Sequence, residues 1–171
     1  MCKIAGLREW GCGGSVTGVA EVVIRGFLPE DGEALSALVV RCLREVNSRD
    51  YPAELIERMC AHFTADRFRE LAGERRIYVA ERDGRPVGTV SRDGNKVYTM
   101  FVDPDAHGRG IGRLLMRHVE EAARAEGHEF METGASLTGH GFYQRLGYTD
   151  VRVSDTVFGI NHILRRPLSG A

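Results

Sequence analysis

The sequence predicts a single domain of the α/β (α+β) class, and three observations carry that reading. Seven short strand-like runs alternate with four amphipathic helical ones. Two Asp-Gly dipeptides, Asp83-Gly84 and Asp93-Gly94, join three of the strands with no room for a helix between them. At 171 residues and 43% hydrophobic, the chain is long enough to bury one full core.

The elements follow in order. Residues 1–20 carry Gly11, Gly13, Gly14 and Gly18 and no continuous apolar run, so they are expected to form a flexible extension rather than a signal peptide, with the domain spanning residues 21–171. Glu21 to Arg25 is β-branched and short, a first strand. Pro29-Glu30-Asp31 favours a helix start, and Leu35, Leu38, Val39, Cys42, Leu43 and Val46 then recur at helical spacing along one face. Asn47 to Pro52 breaks that pattern; a second helical stretch runs from about Ala53 to Leu71, with an interruption near Thr64. Arg76 to Glu81, Pro86 to Ser91 and Lys96 to Val102 form an antiparallel meander. Ile111, Leu114, Leu115, Val119, Ala122 and Ala123 line the next helix, with Arg117–Glu121 and Glu120–Arg124 paired on its outer face, and Gly127 ends it. Glu129 to Thr133 is a strand, Leu137 to Arg145 a weak helix, and Tyr148 to Val153 and Val157 to Leu164 the last two strands.

Twenty-three basic residues against 24 acidic leave a net charge of −1, which offers no broad attraction for nucleic acid or an anionic membrane, so neither is expected as a partner. Cys2, Cys12, Cys42 and Cys60 form no CxxC pair, consistent with a reducing cytoplasm and no disulfide framework. The six histidines include no HExxH and no pair at ligand spacing, so no metal is expected.

Between the fourth strand and the long helix lies Asp103-Pro104-Asp105-Ala106-His107-Gly108-Arg109-Gly110-Ile111-Gly112-Arg113. Alternating glycines at a helix start present backbone N–H groups to an anion. The spacing fits neither the dinucleotide GxGxxG pattern, which would need glycine at Arg113 or Leu115, nor the P-loop, since no Gly-Lys-Ser/Thr follows.

The loop resembles the phosphate loop of the GNAT superfamily of N-acetyltransferases, [Arg/Gln]-x-x-Gly-x-[Gly/Ala], matched at Gly110 and Gly112 with His107 at the first position. A second run, Ser136 to Tyr148, resembles the family's closing motif, with Phe142-Tyr143 and Gly147-Tyr148 in register, Ser136 at its Asn position and Gly139 at its Ala position. Together they extend the resemblance over roughly residues 20 to 167.

The resemblance implies a mixed, mostly antiparallel sheet splayed open between the fourth and fifth strands, with acetyl-CoA as cosubstrate and its pantetheine arm in the opening. His107, Gly108, Arg109, Gly110, Ile111 and Gly112 would hold the pyrophosphate. Backbone N–H groups around Met100, Phe101 and Val102 would face the oxyanion, where donors need no reorganisation. His107 is a departure, because imidazole is charged only near or below its reference pKa of ~6.5. Tyr143 is the candidate general acid: a phenol of reference pKa ~10 can share its proton with a departing thiolate whose thiol is near ~8.5. Ser136 would cap its helix, touch the pantetheine arm, or both.

The general base is open. The fourth strand lacks the Glu common in the family, leaving Glu132, Glu81, His140 or a water chain. The acceptor, a small-molecule or peptide primary amine, would lie between Asn47–Pro52 and Val153–Gly159. A homodimer is compatible with this reading, and the alternative function is a non-catalytic acyl-CoA-binding regulatory module.

Overall fold

The structure, a computed structural model, describes residues 21–168; the extension expected at residues 1–20 lies outside them, as do Cys2 and Cys12. Seven strands and five helices follow the predicted order. They are β1 Val23–Gly26, α1 Gly32–Glu45, α2 Ala53–His62, α3 Ala65–Glu74, β2 Arg76–Arg82, β3 Arg85–Asp93 and β4 Lys96–Val102, then α4 Ile111–Ala125, β5 Phe130–Ala135, α5 Leu137–Arg145, β6 Thr149–Thr156 and β7 Gly159–Pro167. The fifth helix arises because the second helical stretch divides at Thr64, whose hydroxyl accepts the Arg67 N–H at 3.1 Å and caps α3. No helix among the described residues is long and apolar enough to cross a membrane.

The strands make one sheet in the order β1-β2-β3-β4-β5-β7-β6. Both Asp-Gly turns carry the positive φ that a tight hairpin requires, at Asp83 (53°), Gly84 (71°) and Gly94 (51°). Every pairing is antiparallel except β4–β5, which ends after two register pairs, Lys96 with Glu132 and Val97 with Thr133. Past Val97 the two strands part, so the splay implied by the resemblance is present.

Each face of the sheet has its own core. Leu35, Val39, Leu43, Phe68 and Leu71 pack under Val79 on one side; Leu115, Met116, Val119, Met131 and Leu164 pack under Ala80 on the other. Neighbouring Val79 and Ala80 serve opposite cores because successive strand side chains alternate.

One surface pairing is corrected. Arg117 and Glu121 pair at 3.2 Å as expected, but Glu120 turns inward, 5% exposed. It accepts the Tyr148 hydroxyl at 2.8 Å and the Arg166 guanidinium at 2.8 Å, while Arg124 donates to the Leu168 carbonyl instead. A buried carboxylate needs a cation and donors, and β7 and the turn between α5 and β6 bring them there.

Candidate functional site

β4 is irregular where it leaves β5. Its register against β3 shifts between Thr89 and Ser91, and Thr99 there takes φ +44°, a left-handed conformation unusual for a β-branched residue. The Asp103 N–H is bonded to the Val87 carbonyl at 2.9 Å. By antiparallel alternation the Val102 peptide groups then face away from β3, toward the open edge. The Val102 carbonyl receives the Cys42 thiol at 3.2 Å and the His107 imidazole at 2.8 Å.

The glycine loop stands beyond that edge. Gly108 and Gly110 have φ of +73° and +79°, and a Cβ on either would meet nothing within 4 Å, so both border open space. Gly112 is glycine for another reason: a Cβ there would lie 3.0 Å from the Phe142 ring and 3.1 Å from the Met100 methyl. Gly110 is the N-cap of α4, and the first intrahelical bond runs from Leu114 N–H to its carbonyl at 3.0 Å. The N–H groups of Ile111, Gly112 and Arg113 therefore precede the ladder, at the positive end of a helix with no acid in its first turn.

On the far side of the gap, Ser136 caps α5 by accepting the Gly139 N–H at 3.1 Å. Tyr143, two turns beyond Ser136, is 6% exposed and packs edge-on against Phe142 and Tyr148, with ring centroids at 5.1 and 5.7 Å. Burial pushes its phenol up to about 12, with the Thr133 side chain opposing the shift as a hydrogen-bonding neighbour. Cys42 is likewise pushed up to about 12 by burial, so it stays a thiol at neutral pH and is a poor nucleophile.

These parts enclose one cavity of ≈ 740 Å³ between β4 and β5. Phe101, Val102, His107, Gly108, Gly110, Ile111, Gly112, Ser136 and Tyr143 all line it. Arg109 does not; it is exposed on the outer side of the loop, and Arg113 and Arg145 supply the lining guanidiniums instead. Sequence reading passed over both, although Arg113, three residues after Gly110, falls in the first turn of α4.

At the other end of the cavity, the loop after α1 and the β6–β7 hairpin meet. The Tyr51 hydroxyl accepts the Leu137 N–H at 2.8 Å, Thr138 donates to Asp50 at 2.6 Å, and Phe158 packs on His62 at 5.2 Å between ring centroids. Tyr51 thus supports the first turn of α5 from 86 residues away, a link that local pattern does not reveal.

The base candidates lie elsewhere. Glu132 is held by Arg165 at 2.9 Å, which lowers its pKa below the usual carboxylate range. Glu81 pairs with Arg25 at 2.6 Å, and His140 donates to Asp150 at 2.7 Å. No carboxylate among the described residues lines the cavity. His118, on the apolar side of α4, lies edge-on to Tyr78 at 4.5 Å, and burial lowers its pKa.

Set beside known proteins, residues 73–150 match the family model of the acetyltransferase (GNAT) domain. The peptidyl-lysine N-acetyltransferase YjaB of Escherichia coli (strain K12) is 30% identical over 132 residues, 74% of this chain and 82% of that protein. A GCN5-related N-acetyltransferase from Rhodopseudomonas palustris superposes with a TM-score of 0.79 at 24% identity, covering 88% of this chain and 98% of that one. The PaiA N-acetyltransferase of Thermoplasma acidophilum, solved in complex with coenzyme A, gives 0.71 at 19% identity over 86% and 99% of the two chains.

Proposed function

The chain belongs to the GNAT family of acetyltransferases, and from that premise we propose that it transfers an acetyl group from acetyl-CoA directly to a primary amine. One observation carries the reading: a single cavity runs from the uncapped N-terminus of α4 to the buried phenol of Tyr143, along a strand edge left without a partner. That is the shape a long anionic thioester requires. Its pyrophosphate takes the N–H groups of Ile111, Gly112 and Arg113 with the Arg113 charge, and its pantetheine arm runs along β4. The coenzyme A bound by the PaiA relative supports the same assignment.

In the reaction, the amine nitrogen attacks the thioester carbon and the carbonyl oxygen gains charge, which the Val102 N–H at the open edge of β4 faces. The C–S bond then breaks and the thiolate accepts a hydrogen bond from the Tyr143 hydroxyl; the proton that the amine nitrogen sheds as it becomes an amide ends on the sulfur, so Tyr143 finishes as the phenol it began. With its pKa pushed up to about 12, Tyr143 is always protonated at neutral pH and always a donor. Direct transfer is supported by Cys42, the one cysteine among the described residues that lines the cavity, being held as a thiol at neutral pH. The acceptor enters between Tyr51 and the Phe158 hairpin; the name of the YjaB relative makes a peptide lysine the first amine to try.

The test is thiol release from acetyl-CoA over a panel of amines, including lysine peptides, small aliphatic amines and aromatic amines. Turnover with at least one amine is expected. A second reading, a non-catalytic acyl-CoA-binding module, is favoured by the cavity's lack of a lining carboxylate among the described residues. CoA binding without turnover on any amine would select it.

A further inference from the structure

Outside the cavity, three side chains that are remote in sequence converge. His140 lies on α5, Asp150 on β6 and His162 on β7. One Asp150 carboxylate oxygen lies 2.7 Å from His140 Nε2 and 3.4 Å from His162 Nδ1, and the three ligand atoms all lie within 4.8 Å of one another. The imidazole centroids are 4.4 Å apart. We propose that His140, Asp150 and His162 bind one divalent transition-metal ion of the Zn²⁺ class, which ties α5 to the β6–β7 hairpin.

The chemistry of the donors selects the ion. Two imidazoles and one carboxylate suit Zn²⁺, Co²⁺ or Ni²⁺, whereas Mg²⁺ and Ca²⁺ prefer oxygen throughout. Bonds of ~2.0–2.1 Å at tetrahedral angles place ligand atoms about 3.3 Å apart. The two oxygen–nitrogen separations, 2.7 and 3.4 Å, bracket that value, and the two imidazole nitrogens lie within 4.8 Å of each other, so seating an ion asks the rings to close by at most about 1.5 Å.

The second oxygen of Asp150 is already engaged, accepting from Gln144 Nε2 at 3.2 Å. That bond fixes the carboxylate so that its other oxygen faces both imidazoles, the orienting role that an outer hydrogen bond plays at metal centres. All three ligands are open or partly open to solvent, leaving water access for the fourth coordination position.

The fold also gives the link something to do. α5 carries Ser136 at its cap and Tyr143 on its inner side, yet contains Gly139 and Gly141, each costing ~1 kcal/mol of helix stability relative to Ala. His140 sits between those glycines. A metal there anchors the weakest helix of the cavity wall at the point where its own backbone holds it least.

Sequence spacing hides this site. The residues are 10 and 12 positions apart on three different elements, so they match no ligand motif, and the expectation of no metal rested on that spacing alone.

The test titrates the untagged full chain with Co²⁺ and follows the visible bands of four-coordinate cobalt, with Zn²⁺ and Mg²⁺ as competitors. One equivalent is expected to bind, to be displaced by Zn²⁺ but not by Mg²⁺, and to raise Tm. His140→Gln and His162→Ala, both at partly exposed positions, should each abolish the bands while keeping a cooperative melting transition. Gln144→Ala should weaken binding by ~10–100-fold. Absence of the bands in the parent protein, or binding in the two histidine variants indistinguishable from the parent, overturns the proposal.

Discussion

The imidazole of His107 donates from Nε2 to the carbonyl of Val102 at 2.8 Å, so the first residue of the glycine loop is tied to the last residue of β4. A side chain committed to this bond acts as a strut between the loop and the open strand edge. His107 thus holds the loop in place by a contact that Arg or Gln would not automatically reproduce.

His107→Ala is accordingly expected to cost a net ~0.5–1.5 kcal/mol, the worth of one hydrogen bond, or ~1–6 °C in Tm for a domain of this size. CoA affinity should change by only a few fold. His107→Arg trades the strut for a permanent cation beside the loop and should match or exceed the parent in CoA affinity. Calorimetry decides: a more than tenfold loss of affinity in His107→Ala would mean that the ring itself touches the cofactor.

The glycines of the loop separate by mechanism. Gly110 has φ +79° and open space around a notional Cβ, so Gly110→Asn, a residue that tolerates left-handed backbone, fills the phosphate cradle with little strain. It should weaken CoA at least tenfold while lowering Tm modestly. Gly110→Val adds ~1–2 kcal/mol of strain to the same blockage, so it confounds folding with binding. Gly112→Ala should instead lower Tm outright, because its Cβ meets the Phe142 ring at 3.0 Å. Unchanged CoA affinity in Gly110→Asn would place the phosphates elsewhere.

Much of this geometry is legible locally. The limits of β4, the two Asp-Gly turns, the break at Thr64 and the glycine-to-helix transition are all set by residues within a few positions of one another, where propensity and turn chemistry act. What escaped the sequence is long-range. Glu120 faces inward because Arg166, 46 residues later, meets it there. The left-handed backbone of Thr99 is a tertiary demand on a residue whose own preference is the opposite. Arg109 and Arg113 flank the same glycines, but Arg113 sits in the first turn of α4, whose phase turns it to the lining, whereas Arg109 precedes the helix and is exposed outside it.

Ligand stabilisation should discriminate CoA from other phosphates. A ligand at a hundredfold excess over Kd stabilises the fold by ~2.7 kcal/mol, roughly 5–11 °C in Tm at this size. CoA reaches that shift by filling the gap between β4 and β5 as well as the loop. ATP and NAD, which offer a pyrophosphate and no pantetheine, should fall well short at equal concentration, and equal shifts from all three would reduce the site to a generic anion loop.

The pH dependence of turnover should report the substrate. With no carboxylate in the cavity lining among the described residues, no lining acid is available to take the ammonium proton. For an alkylamine of pKa ~10.4, kcat/KM should rise about tenfold per pH unit from neutrality, following the free amine. An aromatic amine, already neutral, should give a flat profile. A limb near pH 5 to 7 that persists with both acceptors would reveal a protein base.

Tyr143 provides the sharpest test of catalysis. Tyr143→Phe removes one buried hydroxyl and almost no volume, so CoA affinity should change by only a few fold, whereas loss of general-acid assistance should cut kcat by ~10²–10⁴, about 3–5 kcal/mol of barrier. The structure adds a constraint on pH. Because burial raises the phenol from about 10 to about 12, the folded state keeps its proton where the unfolded chain releases it. The resulting stability is complete below pH 10 and drains away as pH climbs toward 12. Turnover should show no Tyr143 limb below that range, and an alkaline loss of kcat near pH 9 or 10 that survives in Tyr143→Phe must belong to another group. A kcat within threefold of the parent in this variant, with chemistry rate-limiting, would remove Tyr143 from the proton path and leave it as a packing residue between Phe142 and Tyr148.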